Sequence, residues 1–141
     1  MNTYHLSDLH PGLTETFTTT VTGEKMRQFC AATGDISPIH MDDAAAHARG
    51  HSGRVVYGML CAGLFSTLAG VHLPGATCLL HSVESKFVKP VYIGDTLTVT
   101  GTVQEVNETF AQVTIKAIIT NQHGEKVVRG VIKAGVEAAP E

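Results

Sequence analysis

Asp35 and His40 lie in the stretch Gly34-Asp35-Ile36-Ser37-Pro38-Ile39-His40, a loop begun by a glycine and stiffened by a proline. A turn of this composition brings an acid and an imidazole to one spot. A second stretch, Tyr57-Gly58-Met59-Leu60, opens a long apolar run. Gly58, at the start of a helix, offers a bare backbone amide to a ligand oxygen at the positive end of the helix dipole. An acid, a base and an anion-binding amide are the parts needed to add water to a substrate activated by a carbonyl, or to remove it.

Each of these residues also has a plainer reading. An aspartate beside glycine commonly caps a turn. A lone histidine is often structural, and Gly58 also lets a helix start tightly. Ser66 on a helix can bond its own backbone, and Tyr57 can be core with its hydroxyl satisfied. It is the combination within one short region that favours chemistry. Eight histidines invite a metal reading. The closest cluster, His40, His47 and His51, has neither a cysteine pair nor a His-Glu-x-x-His pattern beside it, so no metal is expected.

The elements that must position these residues follow from periodicity. Residues 1–13 carry breaks and little pattern and read as a loosely ordered lead-in. Glu15 to Thr22 is threonine-rich and suits an edge strand. Glu24 to Thr33 places Met26, Phe29, Cys30 and Ala32 at helical spacing and stops at Gly34. Asp42 or Asp43 N-caps a short alanine-rich helix to about Ala48. Tyr57 to Gly70 is apolar nearly all round, which predicts a buried helix, ended by His72-Leu73-Pro74-Gly75. Residues 77–88, 95–106, 109–121 and 126–136 read as strands. In the third, Ala111, Val113, Ile115, Ala117 and Ile119 alternate with polar residues, as in an antiparallel sheet wet on one side. The apolar face of that sheet needs a partner, and the long helix is the one element that fits. The expectation is a single α+β domain over residues 1–141, one antiparallel sheet wrapped around a long buried helix.

At 141 residues the chain suits one domain. A net charge of −3 argues against nucleic acid as a partner. No apolar run approaches the roughly 18 residues of a membrane span, so no membrane partner is expected. Cys30, Cys61 and Cys78 form no close pair, and their odd number suits a reducing compartment such as the cytoplasm.

Several blocks together carry a family likeness: Asp35-Ile36-Ser37-Pro38-Ile39-His40 with Asp42, Tyr57-Gly58-Met59-Leu60-Cys61-Ala62-Gly63-Leu64-Phe65-Ser66, Leu73-Pro74-Gly75, and Phe87-Val88-Lys89-Pro90-Val91-Tyr92-Ile93-Gly94-Asp95. In this order and spacing, across roughly Phe17 to Val136, the chain resembles the MaoC-type (R)-specific enoyl-CoA hydratases of the hot-dog fold. The resemblance implies hydration of trans-2-enoyl thioesters to (R)-3-hydroxyacyl thioesters, or the reverse dehydration. By position, Asp35 and His40 would hold and activate the water, one of them supplying the proton at the α-carbon, while the Gly58 amide polarises the thioester carbonyl. Ser37, Tyr57, Met59 and Ser66 would contact substrate, Ser66 at a position that lines the family's acyl pocket. The substrate would be an acyl-CoA or acyl-carrier protein, so coenzyme A or phosphopantetheine enters as part of the substrate and no separate cofactor is implied. A homodimer is implied, with a dimer of dimers left open. Arg49 and Arg54 read either as solvated charges or as partners for the phosphates of that handle.

Two positions depart from the family. Asparagine usually stands where this chain has Ser37, and histidine where it has Tyr57. A serine hydroxyl has less reach and one fewer donor, and a phenol does not act as an imidazole near neutral pH. Both departures fit either a shifted substrate, such as a carrier-protein-bound or unusually shaped acyl chain, or weakened catalysis. The alternatives to the hydratase are a thioesterase on the same fold and, with catalysis weakened at Ser37 and Tyr57, an acyl-thioester binding module.

Overall fold

The computed structural model describes residues 1–138. Strand β1 (Thr14–Thr20) is followed by helix α1 (Gly23–Thr33), a single turn α2 (Pro38–Met41), a short helix α3 (Asp43–Ala48) and the central helix α4 (Gly58–Thr67). Strands β2 (Cys78–Phe87), β3 (Thr96–Asn107), β4 (Gln112–Thr120) and β5 (Lys126–Val136) complete the chain. All pairings are antiparallel, in the order β1-β3-β4-β5-β2, so β1 and β2 are the edges. The sheet curls around α4, the architecture its alternating pattern demanded.

The two faces of the sheet separate by residue type. Toward the helix, Val99 lies between Phe17 and Ile119 in register, and Ile115 stands opposite Ile132; Val99, Ile115, Ile119 and Ile132 are fully buried. The other face carries cross-strand threonine pairs, with hydroxyl oxygens 3.0 Å apart in Thr14–Thr102 and 3.1 Å apart in Thr16–Thr100 and Thr20–Thr96. Such pairs stabilise a wet sheet face.

Two glycines in the sheet let the helix sit close. A Cβ on Gly101 would lie 2.8 Å from Leu68 Cδ2, and one on Gly130 would lie 2.6 Å from both a Phe65 ring carbon and the Glu84 carbonyl oxygen. Phe65 and Leu68, both fully buried, occupy these notches. Past Thr67 the helix widens into a π turn over Leu68–His72, and the His72 ring stacks on Phe17 of β1 at 4.8 Å.

Three expectations are corrected. Residues 1–13 are not a loose lead-in. Thr3 bridges Gly75, the Asn2 amide donates to the Val71 carbonyl at 2.9 Å, Tyr4 hydrogen-bonds Glu15, and Leu9 is buried. These long-range backbone bonds leave no local periodicity to read. The α2 turn inside the motif loop was also unexpected; Pro38, at its first position, is preorganised for a helix start. Finally, α4 is not buried all round. Its sheet face is, but Met59 is 65 % exposed, and Gly63 and Ser66 are open as well. Beside them Leu80, Val83 and Phe87 of edge strand β2 are also exposed, leaving an apolar groove between helix and edge. Among the described residues no helix is long and apolar enough to cross a membrane.

Adding one methyl at the deeper notch should be costly. Gly130→Ala is expected to destabilise the domain by about 1–3 kcal/mol, because the obstructing atom is backbone oxygen rather than a flexible side chain. Urea unfolding should show a lower midpoint at unchanged slope; an unchanged midpoint would refute the close seat of Phe65.

Candidate active site

The site is assembled from the exit of α1, the α2 turn, the strand-like residues 54–56 and the start of α4. Gly34 ends α1 in the left-handed conformation at φ 75°, with its amide donating to the Cys30 carbonyl at 2.8 Å. Glycine carries no Cβ penalty there. The chain turns at once into Asp35. Ser37 donates both its amide (3.0 Å) and its hydroxyl (2.7 Å) to Asp35 Oδ1. The Ser37 hydroxyl and amide hold the Asp35 carboxyl below its usual value, because both bonds favour the charged form.

His40 sits on the α2 turn. Its Nδ1 lies 2.6 Å from the Val55 carbonyl oxygen. A carbonyl only accepts, so Nδ1 carries the proton and, in the neutral ring, Nε2 is left as an acceptor. The surrounding backbone is tied as firmly. The Val55 amide donates to the Ile39 carbonyl at 3.0 Å, and Arg54 Nε donates to the His40 carbonyl at 2.7 Å. Arg54 also donates its amide to Asp43 at 3.0 Å, so its guanidinium locks the loop, while Arg49 is exposed. Val56 in turn donates to the Val91 carbonyl at 2.7 Å, joining this segment to the approach to β3.

Tyr57 and Gly58 complete the site. Tyr57 is the residue before the first turn of α4 and gives it no side-chain cap, so the leading amides of the helix have no intrahelical acceptor. The Phe87 ring lies over Gly58, 3.2 Å from where a Cβ would stand. A cavity of about 500 Å³ is lined by Asp35, His40, Tyr57, Gly58, Met59 and Phe87, with Phe29 and Thr33 at its side. A second, of about 290 Å³, shares His40, Gly58 and Phe87 and runs toward His51, Cys61 and Pro90. A third, of about 400 Å³, continues from Met59 and Phe87 along Gly63, Ser66, Leu80 and Val83.

Of the residues singled out in the sequence, Asp35, His40, Tyr57, Gly58 and Met59 therefore meet at one cavity. Ser37 stands behind Asp35 rather than on the cavity wall, and Ser66 lies further along the apolar groove. The Tyr57 hydroxyl, expected to face substrate, is directed to the Asp35 backbone carbonyl at 2.7 Å. Cys61 is a buried thiol whose pKa burial pushes up to about 12, which makes it a poor nucleophile. His47 and His51 form no ligand set with His40, although His51 shares a cavity with it: His47 Nε2 is 3.0 Å from the Ser52 carbonyl, and His51 Nδ1 is 3.3 Å from the Tyr92 hydroxyl. Among the described residues no three potential metal ligands come together. Sequence reasoning missed the Val55 carbonyl, which orients His40, and Phe87, which roofs Gly58. A backbone carbonyl leaves no trace in residue identity. Phe87 had a faint signal, an aromatic ending a strand just before Pro90.

A five-stranded antiparallel sheet wrapped on one helix, with an acid and an oriented histidine near the helix start, defines a protein of the hot-dog fold. The chain belongs to the MaoC-like domain family, whose model matches residues 11–126. It is 34 % identical over 102 residues to an (R)-specific enoyl-CoA hydratase of Aeromonas caviae, covering 72 % of this chain and 76 % of that one. It is 31 % identical over 100 residues to the enzyme of the same name from Rhodospirillum rubrum, covering 71 % and 69 %. The structure of the R-hydratase PhaJ1 from Pseudomonas aeruginosa superposes with a TM-score of 0.89 at 27 % identity, over 96 % of this chain and 86 % of the other.

The Ser37 bonds give a direct pH signature. A depressed pKa keeps Asp35 ionised to lower pH than an ordinary aspartate, and the stabilisation it brings is lost as pH falls through that depressed value. Ser37→Ala removes the larger of the two contributions, so the Asp35 carboxyl should titrate at higher pH, followed by 13C NMR of its carboxyl carbon. A titration unchanged from wild type would show that the hydroxyl does not bear on the charge.

Proposed function

We propose that the protein is a hydro-lyase that hydrates trans-2-enoyl thioesters to (R)-3-hydroxyacyl thioesters, or runs the dehydration in reverse. The reading is carried by one observation: Asp35, His40 with an accepting Nε2, and Gly58 at the uncapped start of α4 line a single cavity. The relatives named as (R)-specific enoyl-CoA hydratases support it.

The thioester oxygen accepts from the Gly58 amide at the helix start. This withdraws charge from the conjugated double bond and prepares the β-carbon for attack. Water is held between Asp35 and His40. As its oxygen bonds the β-carbon, one proton passes to the pair, and the electron pair of the double bond moves onto the carbonyl oxygen as an enolate. The amide stabilises that oxygen most where the charge is greatest, worth about 10²–10³ in rate for one such donor. Collapse of the enolate takes the proton onto the α-carbon from the same pair and leaves the site unchanged. Asp35, held ionised by its Ser37 bonds, suits holding the water, leaving His40 Nε2, free because Nδ1 is committed to the Val55 carbonyl, to accept the proton.

The acyl chain would lie in the apolar groove beside Met59, Ser66, Leu80 and Val83. The handle is coenzyme A or phosphopantetheine, part of the substrate rather than a resident cofactor. The open face of α4 and the unpaired edge of β2 suit a homodimer in which two sheets join edge to edge. Three unpaired thiols fit a reducing compartment, the cytoplasm.

Crotonyl-CoA mixed with the purified protein should lose its conjugated-enoyl ultraviolet absorbance. Asp35→Asn, which keeps the shape and removes the charge, should lower kcat/KM by at least about 10²-fold, with an (R) product from the wild type by chiral analysis. Full turnover in Asp35→Asn sinks the mechanism, and release of free thiol would replace the hydratase by a thioesterase.

A further inference from the structure

We propose that Tyr57 is a positioning residue that holds the carboxylate loop, the histidine and the helix amide in one register. The inference rests on the hydratase reading for its kinetic consequence, but not for its geometry.

Tyr57 touches all three parts of the site. Its own peptide leads directly into Gly58, so its backbone sets where the leading amides of α4 point. Its ring lies 4.3 Å from the His40 ring, tilted by 31°, and 4.5 Å from Phe29 on α1. Its hydroxyl donates to the Asp35 backbone carbonyl at 2.7 Å, across 22 residues of sequence, and lies 3.6 Å from Met41 Sδ at the end of α2. The residue is only 2 % exposed. A tyrosine placed solely to fill the core needs a partner for its hydroxyl, and any nearby acceptor would serve. Here the acceptor is the peptide oxygen of the acid itself.

The remaining restraints on the loop do not cover this point. Ser37 shapes the carboxylate from within the loop and so cannot fix the loop against α4. Val55 and Arg54 hold the His40 side of the loop. The Asp35 side is tied to the helix through Tyr57. A phenol suits this role chemically. Burial, with help from Cys30, holds its pKa above the usual value, so it stays a donor through the neutral range. An imidazole at this position would itself titrate near neutral pH, whereas tyrosine makes the tether independent of pH there. Because a displacement of about 1 Å can cost on the order of 10²-fold in rate, a tether of this kind affects turnover without the hydroxyl itself meeting substrate.

Tyr57→Phe keeps the ring against His40 and Phe29 and removes the hydroxyl, and with it the bond to the Asp35 carbonyl and the longer contact with Met41 Sδ. Its kcat for crotonyl-CoA should fall about 10-fold, the scale of one lost hydrogen bond, while KM stays within about two-fold. In NMR spectra, the Asp35 carbonyl carbon and the Ile36 amide nitrogen, which share the peptide that receives the bond, should both shift. A lowered Tm with unchanged kcat would make Tyr57 merely structural, and a raised KM at unchanged kcat would make its hydroxyl a substrate contact; either overturns the proposal. If wild-type protein leaves enoyl thioesters untouched, the hydratase reading fails by itself. The two NMR shifts then decide the tether, and their absence in Tyr57→Phe refutes it.

Discussion

The seating of Phe65 and Leu68 in the notches at Gly130 and Gly101 is the constraint from which the rest of the molecule follows. Side chains at those two sheet positions would meet backbone oxygen or helix side chains within 2.6 to 2.8 Å, so the glycines set how closely α4 approaches the strands. Burying two large apolar side chains contributes on the order of 3–6 kcal/mol, and it also locks the helix against sliding and rotation. Once the axis is set, so is its first residue. Gly58 falls beside the end of β2, where the Phe87 ring covers it, and Gly58 and Met59, at a helix start with no side-chain cap, line a cavity.

Around that fixed amide the acid and the base are placed almost entirely by backbone carbonyls. The carbonyls of Asp35, Ile39, His40 and Val55 each receive a bond from another segment of the site. This division matters for the chemistry. With the peptide groups committed to holding the loop, the carboxylate keeps one oxygen, Oδ2, outside the Ser37 bonds, and the neutral imidazole keeps Nε2. The groups that would act on water are thus spared from structural work, which lowers the reorganisation needed when substrate arrives.

The same helix is two-sided in a way its composition conceals. One face lies in the core and the other, with Met59, Gly63 and Ser66, borders an apolar groove beside the exposed edge of β2. An open edge strand next to exposed apolar side chains invites pairing with another chain. Under the proposed function the groove takes an acyl chain and the edge takes a second subunit, so one strip of surface would meet both needs. The groove is continuous with the Asp35–His40 cavity through Met59 and Phe87, which under that function would relate the acyl chain to the reacting carbons.

Much of this was legible in the sequence, for a physical reason that differs from element to element. Period-two alternation in β4 announces its buried face directly, because burial is a property of side chains, whereas the all-apolar run of α4 announces a buried face without showing that the other is open. Gly34 as a left-handed stop and Asp42 as a cap on the Ala44 amide at 3.0 Å are local interactions, complete within a few residues. Asp35, His40 and Gly58 could be singled out by residue type and spacing, and the fold brings all three to one cavity. The tertiary structure decided the rest, which consists of contacts between segments far apart in the chain. The anchoring of residues 1–13 comes from bonds such as that of Asn2 to Val71. The tautomer of His40 comes from a carbonyl 15 residues away, and the direction of the Tyr57 hydroxyl from a carbonyl 22 residues away. The open face of α4 comes from the place of β2 at the sheet edge. Backbone carbonyls are the same in every residue, so no sequence pattern records which of them a side chain will find; that depends on where the fold brings the two together.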